Sequence, residues 1–334
     1  MVYKMKNEYI DSNKKIGVLI SNLGTPDSPS RKDLKKYLNQ FLMDKRVIDL
    51  PRLLWIPILK IIILNIRPRK SAKLYRSIWT DKGSPLMVFS KNILKKLSDS
   101  IDDRITVALG MRYGSPSIKE AMDIFKKEKI SKILVFPLYP QAGSPTTSST
   151  FDAVTDYLRN ISWMPDLRFV SGYHDHNAYI SALVRSVKNS FSEHGRPDKL
   201  IFSFHGMPYR YLEKGDPYYC FCHKTARLTA EKLDLDEYSY DIAFQSRFGS
   251  DKWLEPYIDR LLVNEANNGT KYIQVISPGF AVDCLETLEE ISIQYRELFI
   301  SNGGKRFEYI PCLNDGQDQL DLIRSIIDDS ISGW

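Results

Sequence analysis

The chain has 334 residues, 43% of them hydrophobic and 26% charged, which suits a soluble globular protein long enough for two domains. Its net charge of +6 is spread along the sequence, so it favours an anionic substrate or membrane surface and does not point to nucleic acid. The polar first fifteen residues lack the apolar core of an export signal, and Cys220, Cys222, Cys284 and Cys312 do not make a disulfide framework, so a cytoplasmic location is expected.

In chain order, the first strand is expected over Ile16 to Leu23, running into the polar turn Ser21-Asn22-Leu23-Gly24-Thr25-Pro26. The segment Leu50 to Ile66 is nearly all apolar, yet it holds Arg52, Pro57 and Lys60 and is too short to span a bilayer. We read it as a helical lip, buried between domains or facing lipid, with Arg67, Arg69 and Lys70 at headgroup level. Strands follow at Ile105 to Met111, Lys132 to Leu138 and Leu167 to Gly172. The first of these ends in Met111, Arg112 and Tyr113, a fixed cation beside an aromatic face. The next ends in Tyr139-Pro140-Gln141 and leads to the hydroxyl cluster Thr146 to Thr150, which could hold an anion or simply cap a helix.

An amphipathic helix over Asp175 to His194 links this group to a second set of strands at Leu200 to Phe204, Tyr240 to Gln245, Lys271 to Ser277 and Phe307 to Ile310. The first of that set ends in His205, followed by the breakers Gly206 and Pro208. A histidine at the C-terminal edge of a buried parallel strand is either a site residue or one bonded to local backbone. Cys220 and Cys222, beside His223, have a spacing that fits zinc poorly. Ser246 and Trp253 follow the second strand of the set, and the third leads into a helix with Glu286, Glu289 and Glu290. Those carboxylates form either a solvated face or, with Glu286 opposite His205, a pair able to bind a divalent metal or move protons. A closing helix is expected over Asp315 to Ile331, returning to the first domain.

Strands too apolar to be half exposed, alternating with helices, imply parallel sheets covered on both faces, and two groups of four imply two similar α/β domains. The expected division is 15–174 plus 314–332, with the lip at about 50–66, and 175–313. No Gly-x-Gly-x-x-Gly, Walker loop or Gly-x-Ser-x-Gly elbow is present, so the chemistry left is that of metals and protons in an aromatic-rich cleft.

Taken in order, several pieces carry a family resemblance: Asn22-Leu23-Gly24-Thr25-Pro26, Tyr75-Arg76 with Gly83-Ser84-Pro85, Gly110 to Tyr113, Tyr139-Pro140-Gln141 with Thr146-Thr147, Phe202 to Pro208, Gly215 to Tyr218, Gln245-Ser246 with Gly249 and Trp253-Leu254, and Asp283 with Leu285 to Leu288. Together they resemble the ferrochelatases, which insert ferrous iron into a porphyrin to make haem. The resemblance implies two Rossmann-like domains of the class II chelatase kind, each with a four-stranded parallel sheet flanked by helices, and a porphyrin between them. It implies His205 as the active-site histidine and Glu286 as its acidic partner, the two moving protons or handing over the iron, with Glu290 next in line. Leu23, Met111 and Trp253 would wall the macrocycle, and Arg112, Tyr113 and Ser246 would meet propionates or the ring edge. Leu23 stands where the coproporphyrin-using branch has tyrosine, favouring protoporphyrin IX. Gln294 stands where the acidic ladder usually continues and Cys284 where histidine is common. Ser144 replaces a cluster cysteine of animal members and no C-terminal cysteines follow, so no iron-sulfur cluster and no resident cofactor are expected. A peripheral membrane contact through 50–70, at the inner face of the cytoplasmic membrane, is also expected. A tetrapyrrole or metal carrier without turnover, or a cobalt chelatase of the same superfamily, would fit the same architecture.

Overall fold

A computed structural model describes residues 15–162, 164–249 and 251–334. The stretch 1–14, which carries most of the export-signal argument, lies outside the described residues. The first half holds β1 (Ile16–Gly24), α1 (Arg31–Met43), α2 (Arg52–Pro57), α3 (Leu64–Ile78), α4 (Pro85–Ser98), β2 (Ile105–Tyr113), α5 (Ile118–Lys127), β3 (Lys132–Pro137), α6 (Ser149–Leu158) and β4 (Asp166–Phe169). The second holds α7 (Asn177–His194), β5 (Lys199–His205), α8 (Tyr209–Glu213), α9 (Tyr218–Lys232), β6 (Tyr240–Gln245), α10 (Ile258–Asn267), β7 (Tyr272–Ile276), α11 (Arg296–Ser301), β8 (Arg306–Ile310) and α12 (Gln317–Ile331).

The strands form two parallel sheets with the same order, β2-β1-β3-β4 and β6-β5-β7-β8. Consecutive residues of a strand point to opposite faces, and Val18, Leu19 and Ile20 are all fully buried, so helices cover both sides. The strand order reverses between β1 and β3 and between β5 and β7, which opens a crevice at each carboxyl edge. β2 runs two residues past its expected end because Gly24 of β1 still pairs with Tyr113. Gly24 has φ +102°, and a Cβ there would lie 1.8 Å from the Tyr113 carbonyl, so that crossing requires glycine.

The lip is two-faced. Trp55, Leu59 and Leu64 pack on Tyr37, Leu38 and Leu42 of α1, and the Trp55 indole donates to the Leu42 carbonyl at 2.7 Å. On the other side Leu53 is 91% and Ile61 70% exposed, with Leu54, Ile62 and Ile66 alongside. Between α2 and α3 the chain widens into a π-helix over Ile58–Ile63, directly after Pro57, which has no N–H to donate. Two clusters fix the loop leading into the lip. Asp44 accepts from Tyr113, at 2.8 Å, from Ser149, at 2.6 Å, and from Arg112. Asp49 accepts from Arg210 at 2.6 Å and Lys214 at 2.8 Å, tying the loop to both ends of α8.

The closing helix α12 lies against α4, β3 and α7. Lys96 of α4 pairs with Asp315 at 2.8 Å, and Arg168 of β4 donates to the Ser330 carbonyl at 2.6 Å. Leu320, Ile323 and Ile327 of this helix share one core with Leu134, Phe136, Phe202 and Ile276, so strands of both sheets meet in it.

Candidate active site

The carboxyl ends of both sheets line a single cavity of about 420 Å³, within the range of small-molecule sites. β1 contributes Asn22 to Gly24, with Thr25 just beyond; the segment after β3 gives Tyr139 and Gln141; β5 gives His205; and the segment after β7 gives Gly279 to Val282 with Cys284 to Glu286. The two chain reversals therefore face each other across the same space.

His205 is the last residue of β5. Its Nδ1 lies 2.7 Å from the Gly206 carbonyl, which can only accept, so Nδ1 carries the hydrogen and Nε2 is the acceptor of the neutral ring. Its own carbonyl accepts from the Tyr218 hydroxyl at 3.0 Å. The next position must be small, since a Cβ on Gly206 would lie 2.6 Å from the Gln245 carbonyl. The histidine is bonded to local backbone and also lines the cavity.

The helix opposite is a π-helix over Glu286–Tyr295, a rare form frequent at functional sites. Its widened turn brings residues five apart together: Gln294 donates to Glu289 at 2.6 Å and Tyr295 to Glu290 at 2.7 Å. Glu286, Glu289 and Glu290 all line the cavity. Buried Asp283 anchors the start of the turn, accepting from Thr287 at 2.9 Å, Tyr309 at 2.6 Å and Asn314 at 2.7 Å. Gln245 ties the π-helix to the β5 edge, donating to the Glu286 carbonyl at 2.9 Å and accepting from Ser203 at 2.7 Å. Burial drives the Tyr37 and Tyr75 phenols, which line the cavity, well above their ordinary range, so they act there as hydrogen-bond donors.

Of the residues singled out in the sequence, Leu23, His205, Ser246, Glu286 and Glu290 line the cavity together. Met111, Arg112, Tyr113 and Trp253 do not line it. β2 is an edge strand outside the β1–β3 crevice; Met111 is fully buried, and Asp44 holds both Arg112 and Tyr113. Burial pushes the Asp44 carboxyl up, but the Ser149 hydrogen bond and the Arg112 charge outweigh it and leave its pKa lowered. Trp253 is buried behind the wall, its ring centre 5.0 Å from that of Phe248, which lines the cavity. Of the hydroxyls Thr146 to Thr150, only Thr146 lines it; Ser149 and Thr150 are spent on Asp44 and the Thr146 carbonyl.

Two cations line the cavity instead of Arg112. Arg247 is committed, paired with Asp259 at 2.7 Å and lying over Tyr257. Arg67 lies over Phe248, with no ion pair among the described residues. The sequence reading set Arg67 at headgroup level with Arg69 and Lys70; on α3 it lines the cavity instead.

Two sheets of this topology meeting at a shared cavity define the fold of the two-domain chelatases. The sirohydrochlorin chelatase SirB from Bacillus subtilis, solved in complex with cobalt, superposes with a TM-score of 0.57 at 8% identity, covering 96% of this chain and 97% of that one. CbiX, the terminal enzyme of sirohaem biosynthesis in denitrifying bacteria, gives 0.52 at 12% identity, covering 95% of this chain and all of that one. Sequence narrows the class. Residues 15–331 match the ferrochelatase family model. The chain is 48% identical over 324 residues to a ferrochelatase of Pseudoalteromonas atlantica, covering 96% of this chain and 90% of the relative. It is 49% identical over 322 residues to ferrochelatase 1 of Shewanella oneidensis, covering 95% and 96%. The chain belongs to the ferrochelatase family.

Proposed function

We propose that this cavity is where the chain carries out its family's reaction, insertion of Fe²⁺ into protoporphyrin IX to give protohaem and two protons, with His205 taking the protons from the pyrrole nitrogens. The observation that carries the assignment is that His205 ends β5 in the cavity wall with Nδ1 2.7 Å from the Gly206 carbonyl, a contact that leaves Nε2 to accept. Each pyrrole N–H breaks with its electron pair left on nitrogen for the iron, and the proton passes to Nε2 and then to Glu286. A carboxylate beside an imidazole keeps the transferred charge from being stranded, and the same two groups suit ferrous iron as it enters. Leu23 and Phe280 offer apolar wall to the macrocycle, and Arg67, whose charge also feels Glu286, is the cation placed to meet a propionate.

Curated relatives near half identity carry the ferrochelatase name, whereas the cobalt-bound neighbour shares only 8% of its residues, so the cobalt-chelatase and carrier readings have no support of their own. The reaction needs no resident cofactor. Acid-labile sulfide in the purified protein would contradict this.

The exposed side of the lip, with the exposed Arg69 and Lys70 just beyond it, suits peripheral contact with the inner face of the cytoplasmic membrane, from which an apolar porphyrin could enter. No helix among the described residues is long and apolar enough to cross a membrane. Anaerobic mixing with protoporphyrin IX and Fe²⁺ tests the assignment: the free-base absorption bands should collapse to the metalloporphyrin pattern over many turnovers. Bands that shift once, in proportion to protein, would describe a carrier.

A further inference from the structure

We propose that Arg210 is a positioning residue: it joins the loop that leads into the lip to the wall segment after β6, and so fixes the width of the entrance through which a planar macrocycle reaches the cavity. The inference rests on the reading of the cavity as the porphyrin site.

Of the residues that line the cavity, Arg67, Arg247 and Phe248 are exposed, so it opens to solvent between α3 and the segment that follows β6. Arg67 lies over the Phe248 ring, 5.5 Å from its centre, which makes one contact across that opening. A cation over an exposed ring is a weak tie. A stronger one runs through α8.

α8 follows the turn that starts at His205. That turn is paired with the far end of the wall segment, where the Tyr209 amide donates to the Lys252 carbonyl at 2.8 Å and the Leu254 amide to the Met207 carbonyl at 2.9 Å. Arg210 then reaches both ways. Its Nε and one terminal nitrogen donate to Oδ1 of Asp49, at 3.1 and 2.6 Å, and its other terminal nitrogen donates to Asp251. Asp49 lies in the loop between α1 and α2, on the lip side, and Asp251 lies just beyond Phe248 in the wall. One planar fork therefore holds a carboxylate from each side of the entrance. Lys214 also pairs with Asp49, at 2.8 Å, and the Tyr211 hydroxyl donates to the Arg46 carbonyl at 3.0 Å, so the lip loop is well fixed to α8. Among the ion pairs of the described residues, Arg210 is the one cation that meets both aspartates. Two cations against two carboxylates leave the cluster neutral, which suits a brace and not an ion-binding site. Neither Arg210 nor either aspartate lines the cavity, so the brace acts on substrate only through the walls it joins.

Protoporphyrin IX fluorescence, titrated with the full chain in detergent, measures binding without turnover, and steady-state metallation with Fe²⁺ shows whether the chemistry is spared. Arg210→Gln should raise Kd and KM for porphyrin about fivefold, the size of a well-formed exposed ion pair, while kcat at saturation stays within about twofold. Lys214→Gln removes a pair from the same aspartate but joins nothing to the wall, so its Kd should stay within about twofold of wild type. Asp49→Asn and Asp251→Asn each break one arm; each should match Arg210→Gln, and the double variant should bind within about twofold of either. Binding by Arg210→Gln equal to wild type overturns the inference. So does a double variant weakened by the product of its singles, about twenty-five-fold, because the two pairs would then be independent. A loss in Lys214→Gln as large as that in Arg210→Gln overturns it too, since the cluster would then act through general stability. If Arg210→Gln does not fold, Asp251→Asn against wild type decides the matter in the same way. Wild type that binds no protoporphyrin instead overturns the reading beneath the inference, and the inference with it.

Discussion

At the scale of single residues, hydrogen bonds and ion pairs mark the groups that hold the fold. Asp49 is a holder whose contribution can be read from pH. Its hydrogen bonds from Arg210 and Lys214 depress its pKa from 3.8 to about 2 against the opposing effect of burial. A carboxyl with a depressed folded pKa stabilises the fold above its unfolded value, and the gain is lost as pH falls from about 4 through about 2. Asp49→Asn should therefore lower Tm at pH 6, for a stability loss of about 1 kcal/mol once solvent screening of this exposed group is counted, with the gap to wild type closing by about pH 2. A gap constant across that window would show that the ion pairs contribute nothing. Gly206 makes a second case: Gly206→Ala should cost about 1–3 kcal/mol in thermal unfolding and lower metallation, because the β5 edge must move away from the Gln245 carbonyl. His205 and Leu23 lie at strand ends and Glu286 at the start of a helix, positions from which exposure to the crevice is expected, and all three line the cavity. Arg112 and Tyr113 sit at a strand end too, but their fate depends on Asp44, a residue some seventy positions away whose contact no local pattern encodes.

At the scale of elements, strands were legible and helix type was not. A run of consecutive apolar residues marks a strand buried on both faces, so each strand was placed to within a few residues. A π-helix has no such signature: Glu286 to Tyr295 reads as an α-helix, and only the bonds from Gln294 to Glu289 and from Tyr295 to Glu290 reveal the wider turn. The lip is intermediate, since its apolar run was evident but not which face is outward. With Leu53 and Ile61 outward and neither lining the cavity, Leu53→Glu with Ile61→Glu should abolish co-sedimentation with anionic vesicles while metallation of detergent-dispersed porphyrin stays within about twofold. Vesicle binding equal to wild type would remove the membrane from the account.

Across the whole molecule, two sheets of one topology place two strand-order reversals face to face, and the chain's last helix closes the core they share. Leu320, Leu322, Ile323, Ile326 and Ile327 are buried there. At about 1.5–3 kcal/mol each, their exposure would cost about as much as the whole stability of a typical domain. Removing residues 315–334 should therefore leave no cooperative thermal transition by circular dichroism; a transition within a few degrees of wild type would mean that α12 is an appendage. The central claim is that the cavity is a metallation site worked by His205. Its most direct test is anaerobic Fe²⁺ insertion by wild type and His205→Ala, with protoporphyrin binding measured in parallel by fluorescence. Binding kept within a few fold and turnover lost by at least about a hundredfold is the predicted result. Turnover retained by His205→Ala would contradict it.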